Sequence, residues 1–249
     1  LLFIRRVKED MKDFDGTPLF LPRHVKTLSF KLKGNSPSEF NLYNSLSKYV
    51  NTQYNKALSK DKKRNVAFAI VILQRRFASS TYALLSSLER RKKKLEELLK
   101  IPLDKKKNSE DLFDFDTVED MSEDERWQEE ELWETLSVAE NREELQKEIE
   151  TLSNLIISSR DIIQNEEELK LKELKKALKE LSQKFTEQKD KKILIFTESR
   201  DTLEYLEKKI RDWGYLVNTI HGGMKLEERV EAEKIFKNET QILVATEAA

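Results

Sequence analysis

The chain has 249 residues, of which 38% are hydrophobic and 37% are charged, and its formal net charge is −1. No apolar run approaches the roughly 20 residues of a membrane-spanning helix and no signal peptide is visible, so we expect no membrane contact. The absence of cysteine excludes disulfides and thiolate metal sites and fits a cytoplasmic location, and the only two histidines, His24 and His221, make a histidine metal site unexpected.

The charges are unevenly distributed along the chain. Residues 110–134 contain 13 acidic side chains and one basic side chain, Arg126, so their net charge is −12 and the rest of the chain is +11. A basic body favours a polyanionic partner, and an acidic run is typical of a mobile, solvated loop. The alternative is that the high content of Lys and Glu is only surface composition, and the charge alone leaves both interpretations open.

The two ends of the chain indicate a piece of a longer protein. The first residue is Leu1 rather than a methionine, and the last, Ala249, falls where a predicted strand meets a loop. We therefore expect the function to belong to the intact parent, and the properties of the piece to be considered separately from it.

Long helices are predicted for the middle of the chain. Residues 65–99 and 141–164 place apolar side chains in helical or heptad register, and no proline or glycine lies between Pro102 and Gly214 to interrupt a helix. We expect the two helices to fold back as an antiparallel, coiled-coil-like pair, with an acidic loop near residues 104–135 between them.

A third helix is predicted to start after residue 164. Asn165 is a polar cap residue and Glu168 follows three residues later, which is the pattern of a capping box. Leucines at helical spacing follow between residues 171 and 185. This helix leads into the first strongly apolar strand of the chain.

The C-terminal residues alternate between apolar strands and amphipathic helices. Strands are predicted at 193–197, 215–220 and 241–245, with helices at about 200–213 and 225–236 between them. This order with short connections predicts a βαβαβ unit, and therefore an α/β fold with a parallel sheet. The uninterrupted apolar run of residues 193–197 predicts a strand buried on both faces.

Functional groups in parallel sheets lie at the carboxyl ends of the strands. Those ends carry Thr197, His221-Gly222-Gly223 and Thr246-Glu247. A glycine pair before a helix offers backbone N–H groups to an anion such as a phosphate, and an ordinary strand-to-helix turn explains it equally well. A helix N-cap likewise explains Thr246 and Glu247 as well as a ligand contact does.

The sequence lacks the common motifs of nucleotide hydrolysis. It contains no GxxxxGK(S/T) loop and no Asp-Glu box after an apolar strand, and its two histidines support no Ser-His-Asp arrangement. We therefore predict no catalytic residue and no metal ligand, and no ATP hydrolysis by this chain alone.

The order of the short motifs resembles a known family. KILIFTESRDTLEYL, TIHGGMKLEER and QILVATEAA resemble motifs IV, IVa and the start of V in the second RecA-like lobe of superfamily-two helicases. IRRVKED, SEFNLYNSLSKYV and LQRRFASSTYALLSSLERR resemble the Swi/Snf family of DNA translocases, close to its bacterial and archaeal members. The resemblance covers nearly the whole chain apart from the acidic stretch.

This resemblance implies a central piece of an ATP-driven motor that moves on double-stranded DNA. By that likeness, residues 1–32 end the first RecA-like lobe, residues 33–188 form a helical insertion, and residues 189–249 begin the second lobe. The intact parent would use ATP and Mg²⁺. Motifs I, II, III and VI and the rest of motif V are not found in this sequence, so the residues that contact ATP cannot be assigned to it.

The resemblance also implies roles for individual residues. Nucleic-acid contacts fall on Thr197, Gly222, Gly223 and Thr246, with the two glycines approaching a DNA phosphate. Arg5 and Arg6 would lie near the junction of the two lobes. Glu247 stands where many relatives have Asp in motif V.

A second hypothesis comes from a different class of protein. In this hypothesis the chain is a non-enzymatic interaction module, in which the helical pair binds a protein such as RNA polymerase or a subunit of a defence complex. Sequence flanking the chain would separate the two hypotheses, because a motor requires the GxxxxGK(S/T) loop and the Asp-Glu box upstream.

Overall fold

The computed structural model describes residues 11–20, 25–29, 31–58, 64–100, 122–133, 137, 139, 141–185 and 192–246. The chain divides into two compact units, Leu1–Lys31 and Leu32–Ala249. The domain limits predicted at residues 32 and 188 stay predictions. Within the described part of the chain, no helix combines the length and the apolar character that a membrane crossing needs.

The described part of the first unit contains a tight turn. Lys12 and Pro18 form an isolated antiparallel bridge, and the Asp13 carboxylate accepts hydrogen bonds from the N–H groups of Asp15 and Thr17 at 3.0 and 2.8 Å. Gly16 completes the turn with φ of +84°, a conformation that favours glycine because other residues have a Cβ. The carboxylate therefore holds the backbone of this turn.

Seven helical segments come first in the described part of the second unit, and the first of them is a single irregular turn. They are α1 (Leu32–Asn35), α2 (Pro37–Leu58), α3 (Arg64–Ser79), α4 (Thr81–Lys100), α5 (Glu123–Trp133), α6 (Arg142–Gln164) and α7 (Leu169–Phe185). The prediction for residues 141–164 agrees with α6, whose N-cap is Asn141. The single helix predicted over residues 65–99 is wrong, because α3 and α4 are separate.

Ser80 separates α3 from α4. Its hydroxyl accepts a hydrogen bond from the N–H of Ala83 at 3.0 Å, which is the bond of a helix N-cap. A second bond, at 2.8 Å, joins the same hydroxyl to Thr202. Serine hydroxyls compete with the helical hydrogen-bond ladder, so the break falls where a serine has partners outside the helix.

Helices α2, α3, α4 and α6 share one apolar core. It contains Leu42, Leu46, Tyr49, Val50, Ala57, Ile70, Leu73, Leu84, Leu88, Leu95, Leu145, Leu152, Leu155, Ile156 and Ile162. Arg91 of α4 contacts Glu148 of α6, and Thr81 at the start of α4 contacts Glu168, which follows the C-terminal end of α6, so the two helices run antiparallel. The coiled-coil geometry predicted for this pair is not confirmed, because α3 also packs against α4 and α2 also packs against α6.

The C-terminal part forms a parallel three-stranded sheet, in agreement with the predicted α/β class. Its elements are β1 (Ile193–Phe196), α8 (Arg200–Asp212), β2 (Val217–Ile220), α9 (Leu226–Asn238) and β3 (Ile242–Ala245). The strand order is β1-β3-β2. The connection from β1 to β2 crosses the sheet in one direction, and the connection from β2 to β3 returns in the other. Because both crossovers are right-handed, α8 and α9 lie on opposite faces of the sheet.

The strand that is buried on both faces is β3, so the prediction of two buried faces for residues 193–197, which contain β1, is wrong. All four residues of β3 are buried, whereas Leu194 and Phe196 of β1 are 52% and 67% exposed. The difference follows from the strand order, because β1 lies at an edge of the described sheet. Its Ile193 and Ile195 pack against the core that contains Leu203 of α8, and no described residue covers Leu194 and Phe196 on its other face as fully.

Candidate nucleic-acid interface

The four residues predicted to contact nucleic acid lie where the strands end, on the side of the sheet that we call its carboxyl edge. Because all three strands are parallel, their carboxyl ends meet at that edge. Backbone hydrogen bonds continue past the strands there: the Thr197 N–H donates to Ala245 and the Thr246 N–H donates to Ile220, at 3.0 and 3.1 Å. Thr197 and Thr246 are therefore fixed by the ends of the sheet ladder.

The glycine pair follows β2 at this edge and leads into α9. The Arg229 guanidinium donates to the carbonyl oxygens of Gly222 and Met224, at 2.5 and 3.1 Å. These bonds turn the two carbonyls toward α9. The N–H of Gly222 points instead to a carboxylate outside the sheet, so the turn offers a backbone donor at the edge.

That carboxylate belongs to Glu123, the first residue of α5. Its Oε2 accepts one hydrogen bond from the Gly222 N–H and another from the Thr246 hydroxyl, both at 2.8 Å. Glu123 is only 8% exposed and Thr246 is fully buried. A Cβ on Gly222 would come within 2.7 Å of the Glu123 Cβ, so the absence of a side chain at this position permits the close approach.

Helix α5 was not predicted from the sequence. Residues 123–133 lie within the stretch predicted as a solvated acidic loop near 104–135, and for these residues that prediction is wrong. The physical reason is the set of partners on α3 and at the sheet edge, which are distant in sequence. The rest of the predicted loop, residues 104–121 and 134–135, lies outside the described residues.

Two neighbouring arginines of α3 contact α5. Both Arg75 and Arg76 form salt bridges with Glu130, at 2.5 and 3.2 Å. Arg76 is buried and also donates to the hydroxyl of Ser199 at 3.1 Å. The motif QRRFASS therefore joins the helical part, the acidic helix and the start of α8.

Hydroxyl groups connect the end of α3 to the first strand-to-helix turn of the sheet. The hydroxyl of Ser79 lies 2.7 Å from that of Thr202 and 3.4 Å from that of Thr197. Ser80 also bonds to Thr202, as described above. Thr197 is thus partly exposed beside a cluster of small polar side chains, and its hydroxyl has partners at both α3 and Ser199.

His221 lies next to Trp127 of α5. Burial lowers the pKa of His221, and the nearby Arg200 guanidinium lowers it further, against the opposing effect of Glu123. Its ring centroid lies 6.0 Å from that of Trp127. These effects favour the neutral imidazole, the form that brings no positive charge to this edge.

The remaining predicted residues lie outside the described residues. These are Glu247, at the predicted motif V position, and Arg5 and Arg6, at the predicted lobe junction. In the described ranges, no group of three or more His, Asp or Glu side chains is arranged to hold a metal ion.

Comparison with known proteins covers the C-terminal third of the chain. Residues 170–249 match the helicase conserved C-terminal domain. The match supports a superfamily-two helicase-like protein. Comparison with curated proteins and with solved structures finds no match. The matched residues include the three strands of the described sheet, and a helicase C-terminal domain suggests nucleic-acid binding.

Proposed function

We propose that this chain is part of an ATP-dependent double-stranded-DNA translocase of the Swi/Snf type, close to its bacterial and archaeal members. In this proposal the carboxyl edge of the sheet contacts the DNA backbone through Thr197, Gly222, Gly223 and Thr246. Glu247 belongs to motif V, and Arg5 and Arg6 lie near the lobe junction. The motor acts in the cytoplasm, and its ATP-contacting residues lie in sequence outside this chain.

The observation that supports this proposal best is that the carboxyl edge of the sheet binds the carboxylate of Glu123. The Gly222 N–H and the Thr246 hydroxyl both donate to one carboxylate oxygen of Glu123. Backbone N–H and threonine hydroxyl groups are common donors to DNA phosphates. An edge that holds a carboxylate oxygen with two short hydrogen bonds has the donors that a phosphate oxygen requires.

The residues of this chain do not fit ATP or Mg²⁺ by themselves. No GxxxxGK(S/T) loop occurs in the sequence, and the described carboxylates form no cluster for a metal ion. The proposal therefore assigns ATP and Mg²⁺ to the intact parent. For this chain it assigns only the positioning of the nucleic-acid backbone.

The first test measures ATP hydrolysis by the intact parent protein with and without double-stranded DNA. We expect duplex DNA to stimulate hydrolysis, because a translocase couples its cycle to the strand that it moves along. This chain alone should hydrolyse no ATP. A parent whose rate does not respond to DNA would contradict the translocase proposal and favour the interaction module, with a protein partner on the helical part.

The second test replaces Gly223 by valine in the parent. A Cβ at Gly223 would lie 2.9 Å from the Asp124 Oδ1, the end of a flexible and partly exposed side chain, so we expect the lobe to stay folded. A branched side chain there blocks the approach of a phosphate. We expect DNA affinity to fall by about tenfold or more, the equivalent of one charge-assisted hydrogen bond.

The matched control for this variant is Asn238→Val. Asn238 is exposed at the C-terminal end of α9, at the opposite edge of the sheet. It receives the same side chain away from the proposed contact, so DNA affinity should not change. If Gly223→Val keeps its thermal stability and binds DNA as tightly as Asn238→Val, the two glycines are ordinary turn residues.

A further inference from the structure

The face of α5 that contacts the rest of the protein is charged. Glu123, Trp127 and Glu130 are buried, and their spacing of four and three residues places them on one side of the helix. A helix that packs by the hydrophobic effect buries an apolar stripe at these positions. Here two carboxylates flank one aromatic ring, so hydrogen bonds and salt bridges hold α5 in place.

The partners of these carboxylates are donors and cations. Glu123 accepts from the sheet edge, Glu130 pairs with Arg75 and Arg76, and Asp124 lies 4.0 Å from Arg200. Glu123 and Glu130 are seven residues apart, which is about 10 Å along a helix axis. The acidic helix therefore places separated negative charges along a surface of backbone donors and arginines.

The contact is not closely packed. A polar cleft of about 250 Å³ lies between α5 and its neighbours, and Arg76, Trp127, Gln128 and Arg200 are among its lining residues. The second oxygen of Glu123, Oε1, is buried without a hydrogen-bond partner among the described residues. A buried carboxylate oxygen without a partner costs free energy, so the contact of α5 with this surface is weaker than that of a well-packed helix.

We propose that α5 is an internal competitor of nucleic acid. Its carboxylates occupy the positions of backbone phosphates, with Glu123 on the donors of the sheet edge and Glu130 on the arginines of α3. The free surface binds a nucleic-acid backbone only when α5 has left it. This inference rests on the proposed function, because it takes the sheet edge to be the nucleic-acid contact.

Competition of this kind lowers the apparent affinity for DNA. The measured dissociation constant equals the intrinsic constant divided by the fraction of molecules in which the surface is free. Any change that weakens α5 at its contacts without altering the surface should therefore tighten DNA binding. A change that holds α5 in place should abolish it.

The first experiment compares Glu123→Gln with Glu129→Gln in the full 249-residue chain. Both remove one negative charge from α5, but Glu129 lies outside the contacts with the sheet edge and with α3. The probe is a fluorescein-labelled DNA duplex, and the readout is its anisotropy. Because a neutral acceptor replaces a charged one, we expect Glu123→Gln to bind about fivefold to tenfold more tightly than wild type, and Glu129→Gln to stay within about twofold.

The second experiment fixes α5 with a disulfide. A Cβ at Gly223 would lie 3.5 Å from the Asp124 Cγ, a position close to that of a cysteine sulfur, and the chain contains no other cysteine. We expect the oxidised Asp124→Cys/Gly223→Cys variant to bind the duplex at least about tenfold more weakly than its reduced form. The reduced form is the control for both substitutions.

The outcomes separate this inference from the proposed function. Equal affinities of Glu123→Gln and Glu129→Gln overturn the competition while the DNA contact stands. Equal affinities of the oxidised and reduced double variant do the same when the reduced form binds the duplex. If neither the wild type nor any of these variants binds the duplex, the proposed nucleic-acid contact is wrong and the competition is wrong with it.

Discussion

Replacing Glu148 by alanine should lower the free energy of unfolding by about 3–5 kcal/mol, because it leaves the charge of Arg91 buried without its partner. The two side chains are 2% and 1% exposed, and the guanidinium Nη2 lies 2.7 Å from the carboxylate Oε1. This ion pair lies between α4 and α6, inside the core of the four helices. We expect the loss to appear as a lower midpoint in urea denaturation followed by circular dichroism.

Tyr49 of α2 forms hydrogen bonds with both members of this ion pair. Its hydroxyl accepts from the Arg91 Nε at 2.7 Å and donates to Glu148 at 2.8 Å. Burial raises the pKa of Tyr49 far above its usual range, so the hydroxyl keeps its proton and remains a donor. Ser137 donates to the other carboxylate oxygen at 3.1 Å. Removing Glu148 therefore leaves several buried donors without an acceptor.

An exposed pair between the same two helices is the control. Arg160 and Glu89 are 2.6 Å apart, but their side chains are 55% and 42% exposed. We expect Arg160→Ala to cost only about 0.2–1 kcal/mol, since solvent screens such pairs. Replacing Arg91 by methionine and Glu148 by leucine together should recover most of the loss. A loss for Glu148→Ala no greater than that for Arg160→Ala would contradict the role given to burial.

Local signals predicted the elements well where the cap and the apolar pattern lie in the same segment. Helix α6 begins after Asn141, whose side chain accepts from the N–H of Glu144 at 2.8 Å. Gly214 follows α8 with φ of +87°, as expected of a residue after a helix end. The alternation of strands and helices predicted the parallel sheet. The positions where the strands end predicted which residues meet at its carboxyl edge.

Contacts between distant segments are the part that the sequence pattern could not reveal. Asn165 was predicted to begin α7, but it is the C-cap of α6. The N–H of Leu169, at the true start of α7, donates to Glu39 from α2 at 2.9 Å. Likewise, the acidic composition around Glu123 indicated solvation, because nothing in the local pattern identifies Gly222 as a partner 99 residues away.

The largest expected pH effect comes from Glu168, a buried carboxyl group where α7 meets α4. It is 3% exposed, and its Oε1 accepts from the Thr81 N–H at 3.3 Å. Burial raises the pKa of Glu168 to about 7, and the nearby Glu39 adds to this effect. The Thr81 hydrogen bond and the positive charge of Lys170 oppose it. In the folded protein this group therefore keeps its proton well above its usual pKa of 4.5.

The sign of the pH dependence follows from proton binding. Between pH 4.5 and about 7 the folded state holds a proton on Glu168 that the unfolded state has released. Stability is therefore greatest at the acidic end of this window and falls as the pH rises through about 7. The full loss is on the order of 3 kcal/mol, from about 1.4 kcal/mol for each pKa unit.

Glu168→Gln should remove this loss, because an amide keeps the acceptor for Thr81 and has no proton to release. We expect the variant to be more stable than wild type above neutral pH, with the difference shrinking toward pH 4.5 in urea denaturation at a series of pH values. Glu166→Gln is the control. The hydrogen bond from Lys209 lowers the pKa of Glu166, so its contribution is present at neutral pH and is lost as the pH falls. A variant that follows the wild-type pH profile in parallel would show that Glu168 ionises in the folded protein as it does in the unfolded chain.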